Sequence, residues 1–126
     1  MSPPLVLRVL LGDLAPIMAI GLRSVLEDEG IDVIGQETER SRIVRRAERL
    51  QPDVVVLDLD HDGARALGEE VHHVAPHTKV ILWARNETVM GVLETVSAAP
   101  RLVPINVPHG LRSELRSRRH SDQTEE

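Results

Sequence analysis

Apolar residues along this chain alternate between short continuous runs and one-sided stripes, and that alternation predicts strands and helices in turn. Leu5 to Leu11 is an apolar run closed by Gly12 and Asp13, a turn into a helix whose first turn takes Pro16. Ile17, Met18, Gly21, Leu22, Val25 and Leu26 recur at helical spacing, and Gly30 supplies a left-handed stop. Asp32 to Gly35 reads as a second short strand. From Ser41 to Gln51, Ile43, Val44, Ala47 and Leu50 mark one helix face while Arg42, Arg45, Arg46 and Arg49 line another.

The run Val54 to Asp58 has no polar alternation, which suits a strand covered on both faces of a parallel sheet. It ends on a carboxylate, so Asp58 falls at the carboxyl edge, where open α/β sheets place their chemistry. A helix from about Ala64 to Val74, a strand from Lys79 to Ala84 and a helix from Asn86 or Glu87 to Ser97 follow. Arg101 to Val103 is expected as a weak fifth strand, and Pro108 opens a last helix through Ser117. Val89, Met90, Val92, Leu93 and Val96 cover more of the fourth helix than one buried stripe requires, so part of it is offered as an interface, and Trp83 fills space against it. Five strands each followed by a helix, with right-handed crossovers, predict an α/β fold: a doubly wound five-stranded parallel sheet of flavodoxin type, strand order 2-1-3-4-5. Its switch point lies between the first and third strands, which brings Asp13 to Asp58.

With 126 residues and 41% hydrophobic content the chain is the size of one domain, expected over residues 5–117 with a polar tail, 118–126, left unstructured. It contains no cysteine, which removes disulfides and thiolate metal sites and suits the reducing cytoplasm. No run is long enough to span a bilayer, and no signal segment is read at the N-terminus. The net charge of −5 argues against direct nucleic-acid binding. Phe and Tyr are absent, and Trp83 is the one aromatic residue.

Arg8-Val9-Leu10-Leu11-Gly12-Asp13 before Pro16, then Gly21-Leu22-Arg23, then Pro52-Asp53-Val54-Val55-Val56-Leu57-Asp58-Leu59 resemble the CheY-like receiver domain of bacterial response regulators, in the LuxR-type subclass. The resemblance implies that Asp58 occupies the phosphoacceptor position. It also implies a degenerate pocket. Of the two adjacent acids that hold Mg²⁺ in receivers, the first matches Asp13 and the second is Leu14. The hydroxyl residue ending the fourth strand becomes Ala84, the lysine after the fifth aligns with Pro104, and the aromatic switch position falls at Arg101. Asp13 and Asp58 alone would hold Mg²⁺ weakly or not at all. Losing one preorganised donor costs phosphoryl transfer about 10²–10³ in rate, and here both the hydroxyl and the ammonium are missing.

The resemblance therefore implies an atypical receiver, a phosphorylation-independent regulatory module rather than an enzyme. It would bind a protein partner, a second copy through its later helices or its first and fifth, or a small ligand at the altered pocket. Two acids brought together without a strong cation repel, which calls for a basic partner, and Arg85 at the rim is the expected one. The alternatives are a working phosphoacceptor whose Mg²⁺ site adds Asp60, and a phosphohydrolase using Asp58 and Asp60 as a D-x-D pair. His61, His72, His73 and His77 are read as solvated residues, since neither spacing nor clustering suggests a metal site. The arginine stripe is either a solvated face or a dock for an acidic partner.

Overall fold

The computed structural model describes residues 6–108; Leu5, the last helix beyond Pro108 and the tail 118–126 lie outside the described residues. In chain order the elements are β1 (Arg8–Gly12), α1 (Pro16–Asp28), β2 (Asp32–Glu37), α2 (Arg40–Leu50), β3 (Val54–Asp58), α3 (Ala64–Val74), β4 (Lys79–Trp83), α4 (Val89–Ser97) and β5 (Ile105–Asn106). All strand pairs are parallel and the order is β2-β1-β3-β4-β5, the arrangement the apolar runs predict. No helix among the described residues is long and apolar enough to cross a membrane.

Alternate residues of each strand point to opposite faces, so the sheet sorts its side chains into two cores. Val9, Leu11, Val54, Val56, Ile81 and Trp83 meet α1 and α4 on one face. Leu10, Val55, Leu57, Val80 and Leu82 meet α2 and α3 on the other. Every residue of β3 is buried, as its unbroken apolar run requires. Gly12 ends β1 where a Cβ would lie 2.8 Å from Leu57 Cδ2 and 3.1 Å from Ile43 Cδ1, so only glycine lets α2 and β3 close there.

The two cores reveal a departure from the expected right-handed crossovers. Crossovers of one hand that run in opposite directions across a sheet lie on opposite faces. The β1-to-β2 connection runs toward the β2 edge, with α1 on the first face; β2-to-β3 and β3-to-β4 run the other way, with α2 and α3 on the second. These three share a hand. The β4-to-β5 connection runs with the latter pair, yet α4 packs beside α1, so this crossover has the opposite, left hand that about 2% of such units adopt. The reason is burial: Val92, Leu93 and Val96 of α4 cover Ile81 and Trp83 on a face that, among the described residues, α1 alone would leave partly open.

Smaller corrections follow from the same region. The fifth strand is Ile105–Asn106 rather than Arg101 to Val103, and Arg101 ends a 3₁₀ turn over Ala99–Arg101. The fourth helix starts at Val89 because Thr88 caps it, its Oγ1 accepting the Gly91 N–H at 3.0 Å. Leu22 and Leu26 of the expected α1 stripe are buried, together with Ala19, while Ile17 of that stripe is 81% exposed.

Candidate functional site

The carboxyl edge of the sheet gathers Asp13, Asp58, Asp60, His61, Ala84 and Arg85 in the loops that follow β1, β3 and β4. Asp58 is the last residue of β3, level with Trp83 of β4, and is buried to 8% exposure. Its Oδ1 accepts the Asp60 N–H at 2.9 Å, which closes the loop back onto the strand end. Asp13 follows β1 with φ at 55°, a left-handed conformation that Asp tolerates better than most residues, and its N–H donates to the Glu37 carbonyl at 2.7 Å.

The two acids meet across a histidine. His61 Nδ1 lies 2.8 Å from Asp13 Oδ2, and its Nε2 lies 3.7 Å from Asp58 Oδ2. The hydrogen bond to Asp13 holds the His61 pKa above its ordinary 6.5; partial burial opposes this, the Asp13 and Asp58 charges add to it, and the Arg40 guanidinium opposes it. When protonated, the imidazole gives both carboxylates a cationic neighbour, Asp13 at contact and Asp58 across a longer gap.

The switch-point topology brings Asp13 and Asp58 to one site, as expected, and the basic partner that two such acids call for is present. That partner is not Arg85. The Arg85 backbone N–H donates to Asp60 Oδ2 at 2.8 Å, its Nε lies 3.8 Å from the same oxygen, and its side chain is 88% exposed. His61 is exposed, at 47% of its side chain, as its solvated reading expects, but that reading missed its approach to both acids, because the residue sits in the turn after β3 rather than on a helix. The signal that could have found it is its position three residues past the strand-terminal acid, with Asp13 brought alongside by the fold.

Leu14, at the second acid position of the resemblance, is buried at 5% exposure in the core beneath α1. Ala84 follows β4 and offers only a methyl group. Pro104 and Arg101 do not belong to this edge. The Pro104 carbonyl accepts the Val80 N–H at 2.7 Å near the start of β4, so Pro104 stands at the amino edge of the sheet, and Arg101 precedes it on an exposed turn. The pairing of Val80 with Ile105 and Ile81 with Asn106, carried forward, puts apolar Val107 beside Leu82, one step short of the level of Asp58.

Mg²⁺ takes near-octahedral oxygen coordination, commonly from one or two carboxylates and several waters. No three His, Cys, Asp or Glu side chains converge to hold a metal among the described residues, and Asp13 Oδ2 is already engaged by an N–H donor.

No family model matches the chain. Over 97 residues it is 27% identical to the chemotaxis protein CheY of Thermotoga maritima, covering 75% of this chain and 80% of that protein. Among solved structures it is similar to the response regulator RcsB of Salmonella typhimurium, with a TM-score of 0.67 and 17% identity over 82% of this chain. The chain spans 62% of that RcsB chain. It is also similar to the signal receiver domain of a modulated diguanylate cyclase from Desulfovibrio desulfuricans G20, a structure presented as an example of alternate folding. There the TM-score is 0.60 and the identity 24%, over 96% of this chain and 99% of that one. The strand order and these likenesses define the class by fold: the chain has the fold of CheY-like receiver domains, as found in response regulators.

Proposed function

We propose that this receiver acts without phosphorylation, as a protein-interaction module of bacterial two-component-type signalling in the LuxR-type subclass whose sequence pattern it resembles. The observation that carries this reading is His61, whose ring stands between Asp13 at 2.8 Å and Asp58 at 3.7 Å, within the space where receivers use a metal ion. Buried Leu14 and the methyl of Ala84 support it from the same edge, since neither can hold a cation or a phosphoryl oxygen. Mg²⁺ binding is weak or absent in this reading.

An interacting role is supported by large apolar side chains on adjoining helices: Ile17 and Ile20 of α1 and Met90 of α4 are 81%, 70% and 55% exposed. RcsB, to which the chain is similar, has been solved as two dimers bound to two parallel DNAs, which supports self-association here as one form of partnership. The net charge of −5 supports a protein rather than a nucleic-acid partner, and the absence of cysteine supports a cytoplasmic setting. The domain is not an enzyme in this reading, because Asp60, the acid that a D-x-D phosphohydrolase would use, is turned to the Arg85 main chain.

Incubation with acetyl phosphate, and separately with beryllofluoride, each with Mg²⁺, tests the proposal by intact mass and amide NMR. An unmodified mass and unmoved α4 amides are expected. A stoichiometric adduct on Asp58 with shifts through α4 overturns the proposal, and turnover of p-nitrophenyl phosphate abolished by Asp58→Asn replaces it with the phosphohydrolase.

A further inference from the structure

The sheet has a free edge at β2, and a cationic cleft runs beside it. Between β2 and α2 lies a hollow of about 390 Å³ lined by Arg42, Arg45, Arg46, Arg49, Glu37 and Glu48. Four guanidinium groups face two carboxylates, in a chain whose formal charge is −5. The arginines stand at i, i+3, i+4 and i+7 on α2, so they form one row about 10 Å long.

The cleft is shaped by the strand next to it. Val9 pairs with Val33 but Leu10 pairs with Gly35, so Ile34 is an extra residue that bulges the edge strand. Gly35, just past the bulge, leaves room for the Arg46 guanidinium, whose Nη1 lies 2.7 Å from where a Cβ would stand. Arg46 is held there on the cleft floor with Glu37, Nε to Oε2 4.0 Å, their side chains 34% and 16% exposed. Arg42 makes only an exposed pair with Glu39 at 3.2 Å. The side chains of Arg45 and Arg49 have no ion pair or hydrogen bond among the described residues.

We propose that this cleft docks an acidic peptide segment of a protein partner. Arg45 and Arg49 supply the free guanidinium forks, and Arg46 fixes the floor. A guanidinium pairs with a carboxylate through two parallel hydrogen bonds, and Arg45 and Arg49 stand one helical turn apart, about 6 Å. Carboxylates four residues apart on a partner helix have the same spacing. A nucleotide is a poorer match, since the cleft offers no ring for a base to stack on and Trp83 is buried beneath α4. The inference extends the interaction reading by naming a partner chemistry. It stands apart from the His61 site, so either can fail while the other holds.

The full chain is titrated with a helical peptide bearing Glu at i, i+4 and i+7, with the same peptide carrying Gln, and with tripolyphosphate, all followed by amide NMR. Saturable shifts confined to residues 35–50 with the Glu peptide alone are expected, weakened about tenfold by Arg45→Glu with Arg49→Glu. These two side chains are exposed, so circular dichroism of the double variant should match the parent. A Lys version of the peptide should bind that variant and not the parent. Absent or scattered shifts, equal binding of the Gln peptide, or indifference to the charge reversal overturns the inference. Tripolyphosphate binding that the Glu peptide cannot displace overturns it in favour of a phosphate ligand.

Discussion

Replacing His61 with Gln keeps a hydrogen-bond donor beside Asp13 and removes the charge, which isolates the electrostatic part of the clasp. The His61 side chain is 47% exposed, so solvent screens the pair and its contribution is about 0.5–1 kcal/mol. For a domain of about 100 residues that corresponds to roughly 2–6 °C in Tm. The direction with pH follows from linkage. The folded pKa of His61 is raised above the unfolded value of 6.5, so its stabilisation is fully present below pH 6.5 and is lost as pH rises through the folded pKa. Thermal unfolding of the parent and His61→Gln at pH 5.5 should therefore differ by that margin, and the two curves should converge at pH 9. Asp13→Asn made in both backgrounds closes a double-mutant cycle, and the coupling should be larger at pH 5.5 than at pH 9. An NMR titration of the His61 ring should fall toward 6.5 in Asp13→Asn. A loss in His61→Gln that is equal at both pH values, or that grows with pH, refutes the clasp.

The position of α4 makes a sharper geometric claim. A Cβ built on Gly21 of α1 lies 3.7 Å from Val89 Cγ2 of α4, so Gly21→Cys with Val89→Cys should form a disulfide on mild oxidation, detected by mass and by loss of free thiol. The chain has no other cysteine, and a right-handed fourth crossover would put these residues on opposite faces of the sheet and leave both thiols free. Gly12→Ala should destabilise the domain by about 1–3 kcal/mol in urea unfolding, because its methyl meets Leu57 Cδ2 at 2.8 Å; an unchanged midpoint refutes the close approach.

Much of the architecture was legible because β3 and β4 are unbroken apolar runs and because α2 and α3 carry clear stripes. Val54–Asp58 and Ala64–Val74 have the bounds that their patterns predict. The β5 region resisted reading for a physical reason. Two residues of strand give almost no periodicity, and Leu102 and Val103 are as apolar as Ile105, so nothing local favours one register. That error carried Arg101 and Pro104 into a pocket they do not reach. Arg85 was misplaced because sequence adjacency to Ala84 fixes where its backbone lies but not where its side chain points. The clasp itself depends on His61 meeting Asp13 across 48 residues of sequence, a contact that the turn after β3 and the left-handed backbone at Asp13 create together.

Crossover hand is invisible to the apolar pattern, which specifies that a helix buries a stripe but not against which face. The choice is made by what needs covering. Val92 and Val96 have no exposed surface and Leu93 is 7% exposed, so their burial is worth about 4.5–9 kcal/mol at roughly 1.5–3 kcal/mol for each large apolar side chain. That gain is available on the α1 face, where Ile81 and Trp83 stand, and the Trp83 indole N–H is satisfied there by the Glu87 carbonyl at 2.9 Å. On the other face α3 already covers Val80 and Leu82. With a two-residue β5 there is little ladder to hold the returning chain to the common hand. The same packing sets α4 and its exposed Met90 beside α1 with Ile17 and Ile20, so the crossover that breaks the handedness rule is also what assembles the apolar surface assigned to protein contact.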